Sequence, residues 1–182
     1  QVSNRDIRMS LKNYDNYIFD FDGTIANLKV DWVSLKDEIK TLCKKHGIEI
    51  KQKLNVKIDL LKDNESNLYA IIKKYEQWNN VPKYIINQSI VDFINTKDSF
   101  YVVSNNLHST VKSVLDELGL ASKCKKIIAI DDIKNSKPDT EAYKKLKILL
   151  KIGSSLYIGD RDTDKEFARN CNIDFKHAQD MM

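Results

Sequence analysis

The stretch Tyr17-Ile18-Phe19-Asp20-Phe21-Asp22-Gly23-Thr24 decides the fold of this 182-residue chain. Its continuous apolar run is typical of a strand buried on both faces, as in a parallel sheet. Asp20 and Asp22 are two residues apart, so in extended backbone their side chains lie on the same side. Gly23 then allows a sharp turn and a close approach of the backbone to a ligand. We therefore predict a buried strand that ends in two acids and a tight turn.

Four further runs predict strands, and helical patterns separate them. The predicted strands cover Phe100–Ser104, Ile127–Ile130, Leu156–Gly159 and, more weakly, Ile173–Phe175. The predicted helices cover Leu107–Leu118, the segment from Pro138 to Leu150, and Asp162–Cys171. Strands that alternate with helices of this size indicate βαβ crossovers. The expected fold class is α/β, with a doubly wound, Rossmann-like parallel sheet.

The segment from Val30 to Gln88 breaks this alternation. It contains no convincing strand and is interpreted as helices over Trp32–Lys45, Lys51–Leu61 and Ser66–Trp78, with a fourth over Tyr84–Ile94 that packs on the core. We therefore predict a small all-helical cap inserted after the first strand. The expected boundaries are 13–29 and 83–182 for the α/β core, and 30–82 for the cap.

Polar residues follow four of the predicted strands, at the edge where α/β proteins bind ligands. These residues are Asp20, Ser104, Asp131 and Asp160. Several acids on one rim repel each other unless a cation joins them. Oxygen ligands without nearby His or Cys favour a hard metal, most simply Mg²⁺. One carboxylate of the Asp20/Asp22 pair can then attack phosphorus while the other moves protons.

Four motifs, in order, resemble those of the haloacid dehalogenase superfamily. Ile18-Phe19-Asp20-Phe21-Asp22-Gly23-Thr24-Ile25 resembles the first, and Val102-Val103-Ser104-Asn105-Asn106 the second. Lys137-Pro138-Asp139 resembles the third, and Gly159-Asp160-Arg161-Asp162-Thr163-Asp164 matches the fourth. The helical insert after the first motif resembles the phosphoglycolate-phosphatase-like branch, although this insert is shorter than usual there.

The resemblance implies a role for each matching residue. It makes Asp20 the nucleophile and a metal ligand, and Asp22 the general acid/base, with its backbone carbonyl on the metal. Asp160 is implied as a direct metal ligand, and Asp164 as a ligand or a partner of metal-bound water. The implied phosphate-binding set is Asp20, Gly23, Thr24, Ser104, Asn105 and Lys137. Lys137 is also implied as a catalytic residue that neutralises charge in the transition state.

The function expected from this site is Mg²⁺-dependent hydrolysis of a small phosphorylated metabolite through an aspartyl-phosphate. The acid at Asp22 favours phosphoryl transfer over dehalogenation. A sugar phosphomutase is the first alternative, although its cap histidine is missing from Leu28 to Trp32. A catalytically silent binding or regulatory module and a phosphonate-cleaving enzyme are the others.

Several neighbouring residues stay open to two interpretations. Asp131 and Asp132 are turn acids or an auxiliary acidic pair beside the metal. Trp32 and Trp78 pack the insert or face the substrate. Arg161 is interpreted as solvent-facing or ion-paired, and Asp162 as an acid in the first turn of a helix.

Composition argues against several other functions. The net charge of +4 comes from scattered lysines rather than a basic stripe, so no nucleic-acid partner is expected. No apolar run is long enough for a membrane span, and residues 1–17 lack the apolar segment of a signal peptide. Three widely spaced cysteines predict neither disulfides nor a zinc site and fit the cytoplasm. A monomer or homodimer is expected.

Overall fold

The computed structural model describes residues 14–49, 58–59 and 68–181. Within these ranges the strands are β1 (Asn16–Phe19), β2 (Ala26–Leu28), β3 (Gln77–Trp78), β4 (Val81–Pro82), β5 (Tyr84–Ile86), β6 (Phe100–Val103), β7 (Cys124–Ile128), β8 (Ser155–Gly159) and β9 (Asp174–His177). The α-helices are α1 (Trp32–Lys45), α2 (Leu68–Glu76), α3 (Gln88–Asn95), α4 (His108–Glu117), α5 (Glu141–Lys147) and α6 (Asp162–Asn170). Short 3₁₀ turns cover Ile130–Asp132 and Ala178–Met181.

The centre of the protein is a five-stranded, all-parallel sheet with the order β7-β6-β1-β8-β9. The four residues of β1 are buried, and its apolar residues Tyr17 to Phe19 belong to the continuous run that predicts a central strand covered on both faces. One apolar cluster, which includes Phe19, packs α3 and α4 on one face. A second cluster, which includes Ile18 and Tyr157, packs α5 and α6 on the other. The predicted α/β fold class is confirmed.

The inserted segment packs on the core through a third apolar cluster. Leu35, Ile39 and Ile72 of the insert meet Leu107 and Ile130 of the core in this cluster. The predicted helix Trp32–Lys45 is confirmed as α1, and Asp31 begins it by accepting a hydrogen bond from the Ser34 N–H. Of the predicted helix Lys51–Leu61, residues 58–59 are helical and the rest lies outside the described residues.

The prediction that Val30–Gln88 contains no strand is wrong. Gln77–Trp78 pairs antiparallel with Val81–Pro82, so the predicted helix Ser66–Trp78 ends at Glu76 and the insert is not all-helical. Asn79 and Asn80 form the turn with φ values of 51° and 65°. Two left-handed residues in a two-residue turn match the twist of a hairpin, and asparagine tolerates that conformation well.

The predicted helix Tyr84–Ile94 also begins too early, because α3 begins at Gln88. Tyr84–Ile86 instead forms β5 and pairs antiparallel with β2, with Ala26 opposite Ile86. β2 leads into the insert and β5 leads out of it, so this ribbon holds the two connections side by side. No helix within the described ranges is long and apolar enough to cross a membrane.

Candidate active site

The carboxyl ends of the three middle strands place polar residues at one edge of the sheet. Asp20 follows β1, Ser104 follows β6, and Asp160 follows β8. In this sheet the next strand in sequence after β1 is β6, which lies on one side of β1, whereas β8 and then β9 lie on its other side. This divergence leaves a crevice beside Asp20, the place where open α/β sheets bind ligands.

Lys137 lies at the centre of this edge and joins two acids. Its Nζ is 2.7 Å from Asp20 Oδ1 and 2.6 Å from Asp164 Oδ1. The same ammonium donates to the Tyr157 hydroxyl at 2.8 Å, and that hydroxyl donates to the Val103 carbonyl at 2.9 Å. All three hydrogens of the buried ammonium therefore have an acceptor, which fixes its position.

Backbone groups hold the other oxygen of Asp164. Asp164 Oδ2 accepts hydrogen bonds from the N–H groups of Asp160 and Arg161 at 3.2 and 3.1 Å. A Cβ on Gly159 would come within 2.5 Å of the Asp164 Cβ, so this approach requires glycine. Gly23, with φ +89°, is similar because a Cβ there would overlap the Asp160 carboxylate. Both glycines therefore make room for acids.

The electrostatics of the cluster favour a bound cation. One oxygen each of Asp20, Asp160 and Asp164 lies within 4.8 Å of the others. Burial raises the pKa of Asp20 to about 7, and repulsion by Asp164 adds to this despite the opposing effect of Lys137. Burial also raises the pKa of Asp160. Several closely spaced carboxylate oxygens with an excess of negative charge are suitable ligands for a hard divalent cation.

Asp22 lies beside this cluster, and its two oxygens have separate partners. Oδ1 accepts from the Leu28 N–H at 2.8 Å, and Oδ2 pairs with Arg161 Nη2 at 3.0 Å. Burial raises the pKa of Asp22, while these two donors act in the opposite direction. The guanidinium of Arg161 also lies over the Trp32 ring, 5.9 Å from its centroid. Arg161 is thus ion-paired, one of its two interpretations.

The loop after β6 is held by its own hydrogen bonds. The Ser104 hydroxyl donates to Asn106 Oδ1 at 2.8 Å and accepts from the Asn106 N–H at 3.1 Å. Asn105 Oδ1 accepts from the Lys137 N–H at 3.1 Å. This contact links the second motif to the third.

A cavity of about 220 Å³ opens between the insert and the core at this edge. Its lining joins core acids and bases to two residues of the insert: Asp20, Asp22, Trp32, Ile58, Asn105, Asn106, Ile130, Lys137, Arg161, Thr163 and Asp164. Pockets for drug-sized ligands usually measure about 300–1,000 Å³. The cavity therefore favours a compact ligand, and Trp32 faces it while Trp78 is exposed.

The structure brings most of the predicted site residues together, with differences in detail. Ser104 is buried behind Asn106, which lines the cavity together with Asn105. The Gly23 N–H donates to the Ala26 carbonyl at 2.8 Å, so it points into the turn rather than at a ligand. The Thr24 hydroxyl donates to Asp160 Oδ1 at 3.4 Å and thereby supports an acid of the cluster.

Asp131 and Asp132 are exposed and bind backbone groups instead of joining the acidic cluster. Asp131 accepts from the His108 N–H, and Asp132 accepts from the Ala129 N–H, each at 2.8 Å. These contacts favour the interpretation of both as turn acids. Sequence reasoning missed Tyr157, Asn106 and the buried Glu76; nothing in the local pattern around the tyrosine marks it as a partner of Lys137.

Solved structures share this fold at low sequence identity. A candidate phosphoglycolate phosphatase from Lactobacillus plantarum is 17% identical, with 91% of this chain and 86% of that one covered and a TM-score of 0.61. A candidate haloacid dehalogenase-like hydrolase from Bacteroides fragilis is 18% identical, with 90% and 86% covered and a TM-score of 0.60. YfnB from Bacillus subtilis, a candidate HAD-hydrolase bound to magnesium, is 18% identical, with 90% and 88% covered and a TM-score of 0.52.

No curated protein sequence matches the chain. A family model, however, spans nearly all of it: the haloacid dehalogenase-like hydrolase family matches residues 17–178, which contain all four motifs and the acidic cluster. The chain therefore belongs to the haloacid dehalogenase-like hydrolase family.

Proposed function

We propose that the protein is a Mg²⁺-dependent phosphatase that hydrolyses a small phosphorylated metabolite through an aspartyl-phosphate. One observation carries the proposal: a buried lysine, Lys137, holds the acid at the end of the central strand against a second acid of the cluster. This arrangement orients Asp20 toward the cavity and supplies positive charge where a phosphoryl group would lie. The small cavity supports a compact substrate.

In the first step an Asp20 carboxylate oxygen attacks phosphorus, and the bond from phosphorus to the ester oxygen breaks. Asp22 gives its proton to the departing oxygen. Its raised pKa keeps that proton available closer to neutral pH than an exposed aspartate would. Asn105 and Lys137 hold the phosphoryl oxygens, with Ser104 acting through Asn106.

In the second step Asp22, now ionised, takes a proton from water as the water oxygen attacks phosphorus. The Asp20–phosphorus bond breaks, and inorganic phosphate leaves. Asp20, Asp160 and Asp164, with the backbone carbonyl of Asp22, are the residues that would hold Mg²⁺. The ion would neutralise their charge and that of the phosphoryl group.

The test compares the wild type with Asp20→Asn, using Asp37→Asn as the matched control. Asp37 lies on the exposed face of α1, where it pairs with Lys40. Release of phosphate from an aryl phosphate should require Mg²⁺, stop with EDTA and fall at least about 10³-fold in Asp20→Asn. The control should keep wild-type activity. Equal activity of Asp20→Asn and the wild type would remove Asp20 as the nucleophile.

The same assay separates the alternatives. A phosphomutase would convert a sugar phosphate into its isomer without releasing phosphate. A silent binding module would bind Mg²⁺ and phosphate without turnover on any phosphate ester.

A further inference from the structure

A carboxylate of the insert is buried against the loop that follows β6. Glu76 is the last residue of α2, and 4% of its surface is exposed. A carboxylate is almost never buried to this extent unless it is paired. Among the described residues no lysine, arginine or histidine forms an ion pair with Glu76, so hydrogen bonds hold it instead.

Among the described residues, the Glu76 side chain accepts its hydrogen bonds from the core. Oε1 accepts from Asn106 Nδ2 at 2.9 Å, and Oε2 accepts from the Leu107 N–H at 3.1 Å. The first of these bonds fixes the Asn106 amide, whose oxygen accepts the Ser104 hydroxyl at 2.8 Å. The second satisfies an N–H at the start of α4 that has no partner within the helix. A continuous chain therefore runs from Glu76 through Asn106 to Ser104.

The next residue strengthens the attachment. Gln77 Nε2 donates to both Ser109 Oγ and Thr110 Oγ1 at 2.9 Å. Two consecutive residues of the insert thus bind the first turn of α4 and the loop before it. The orientation of Asn106, which lines the cavity, consequently depends on the position of the insert.

We propose that Glu76 is a positioning residue that sets the phosphate-binding conformation of the Ser104–Leu107 loop from the insert. The proposal rests on the proposed function, because it takes this loop as the phosphate site. It adds that the insert contributes to phosphate affinity without touching phosphate. Burial raises the pKa of Glu76 to about 7, against the effect of its hydrogen bonds to Asn106, Thr110 and Leu107. Burying an ionised carboxylate at this position costs desolvation free energy, but it supplies two acceptor oxygens to the loop.

The experiment uses Glu76→Gln, which keeps the size of the side chain but leaves one acceptor for two donors. Because it also removes a buried negative charge, the variant is expected to fold. Glu38→Gln is the matched control, since Glu38 lies in the same insert and binds Lys74 and the Tyr75 hydroxyl at the surface. Binding of inorganic phosphate with Mg²⁺ is measured by calorimetry at about pH 8, above the raised pKa of Glu76, together with KM, kcat and thermal stability.

Two physical effects predict opposite results. Removing a negative charge behind the loop would, through charge alone, strengthen phosphate binding. Loss of the Asn106 contact would weaken it. We expect phosphate to bind Glu76→Gln about tenfold more weakly and KM to rise with it, while kcat changes less and the fold stays at least as stable. Glu38→Gln should bind phosphate as the wild type does. Unchanged or tighter phosphate binding by Glu76→Gln would overturn the proposal.

A double-mutant cycle tests the route through Asn106. In an Asn106→Ala background, Glu76→Gln should weaken phosphate binding less than twofold further, because the contact it acts through is gone. An unreduced tenfold effect in that background would contradict the proposal.

If Glu76→Gln does not fold, Asn106→Ser breaks the same contact from the core, and unaltered phosphate affinity would be the overturning result. Because phosphate binding needs no turnover, an inactive wild type would refute the proposed function while leaving this test intact.

Discussion

The free energy of unfolding should depend on pH through Glu76. Its pKa is raised from 4.5 to about 7 in the folded protein, chiefly by burial. Between these values the unfolded chain releases the proton and the folded protein retains it. The contribution of Glu76 to the free energy of unfolding is therefore greatest below about pH 4.5. It falls as the pH rises and changes little above about pH 7.

The size of the effect follows from the two pKa values. Each unit of difference corresponds to about 1.4 kcal/mol, so the full cost of ionising Glu76 in the folded protein is about 3–4 kcal/mol. Between pH 5 and pH 8 the linkage relation gives a loss of about 2–3 kcal/mol. Glu76→Gln has no proton to lose at this position, so its stability relative to the wild type should rise by this amount over the same interval.

Urea unfolding at pH 5, 6.5 and 8, with EDTA present, measures this difference. Subtracting the two proteins cancels titrations that they share, provided the substitution leaves those groups unchanged. Glu38→Gln serves as the control, because hydrogen bonds from Lys74 and Tyr75 lower the pKa of Glu38 and its charge stays constant in this range. A stability difference between Glu76→Gln and the wild type that is the same at all three pH values would refute the reasoning.

Three further predictions concern the acidic cluster. Asp22→Asn should lower kcat on an aryl phosphate about 10³-fold; a loss below tenfold would exclude Asp22 as the proton carrier. Lys137→Met leaves two buried acids without their cation, so urea unfolding in EDTA should show a loss of about 3–5 kcal/mol, and wild-type stability would contradict the ion pairs. Mg²⁺ at a hundred times its Kd should stabilise the wild type by about 2.7 kcal/mol. Thermal unfolding should show that Asp160→Asn loses this gain and Asp131→Asn keeps it; the reverse would contradict the assignment of the acids.

The site could be predicted in outline because of the geometry of parallel strands. Residues that follow such strands meet at one edge of the sheet, however far apart they are in the chain. Asp20, Ser104 and Asp160 were found in this way, and Lys137 through its motif. The continuous apolar runs of β1, β6 and β8 likewise predicted their burial between two layers of helices.

The parts that escaped prediction depend on contacts between distant segments. Tyr84–Ile86 is an apolar run that suits a helix as well as a strand, and its pairing with β2 decides the outcome. The β3–β4 hairpin has two residues in each strand, too few for an alternating pattern to appear. Glu76 follows two lysines and a tyrosine on an amphipathic helix, where a glutamate is ordinarily solvated. Its burial arises only when the insert packs on the core.

The close approach of the acids has a consequence for how this protein tolerates change. Gly23 and Gly159 carry no chemical group of their own, yet each leaves the space that an acid of the cluster occupies. A library of random variants would therefore lose function through alanine at these two positions as readily as through loss of a carboxylate. Substitutions can therefore inactivate the site at more positions than those that contact substrate. An engineer who transfers this chemistry to another scaffold must also keep positions without a Cβ next to the acids.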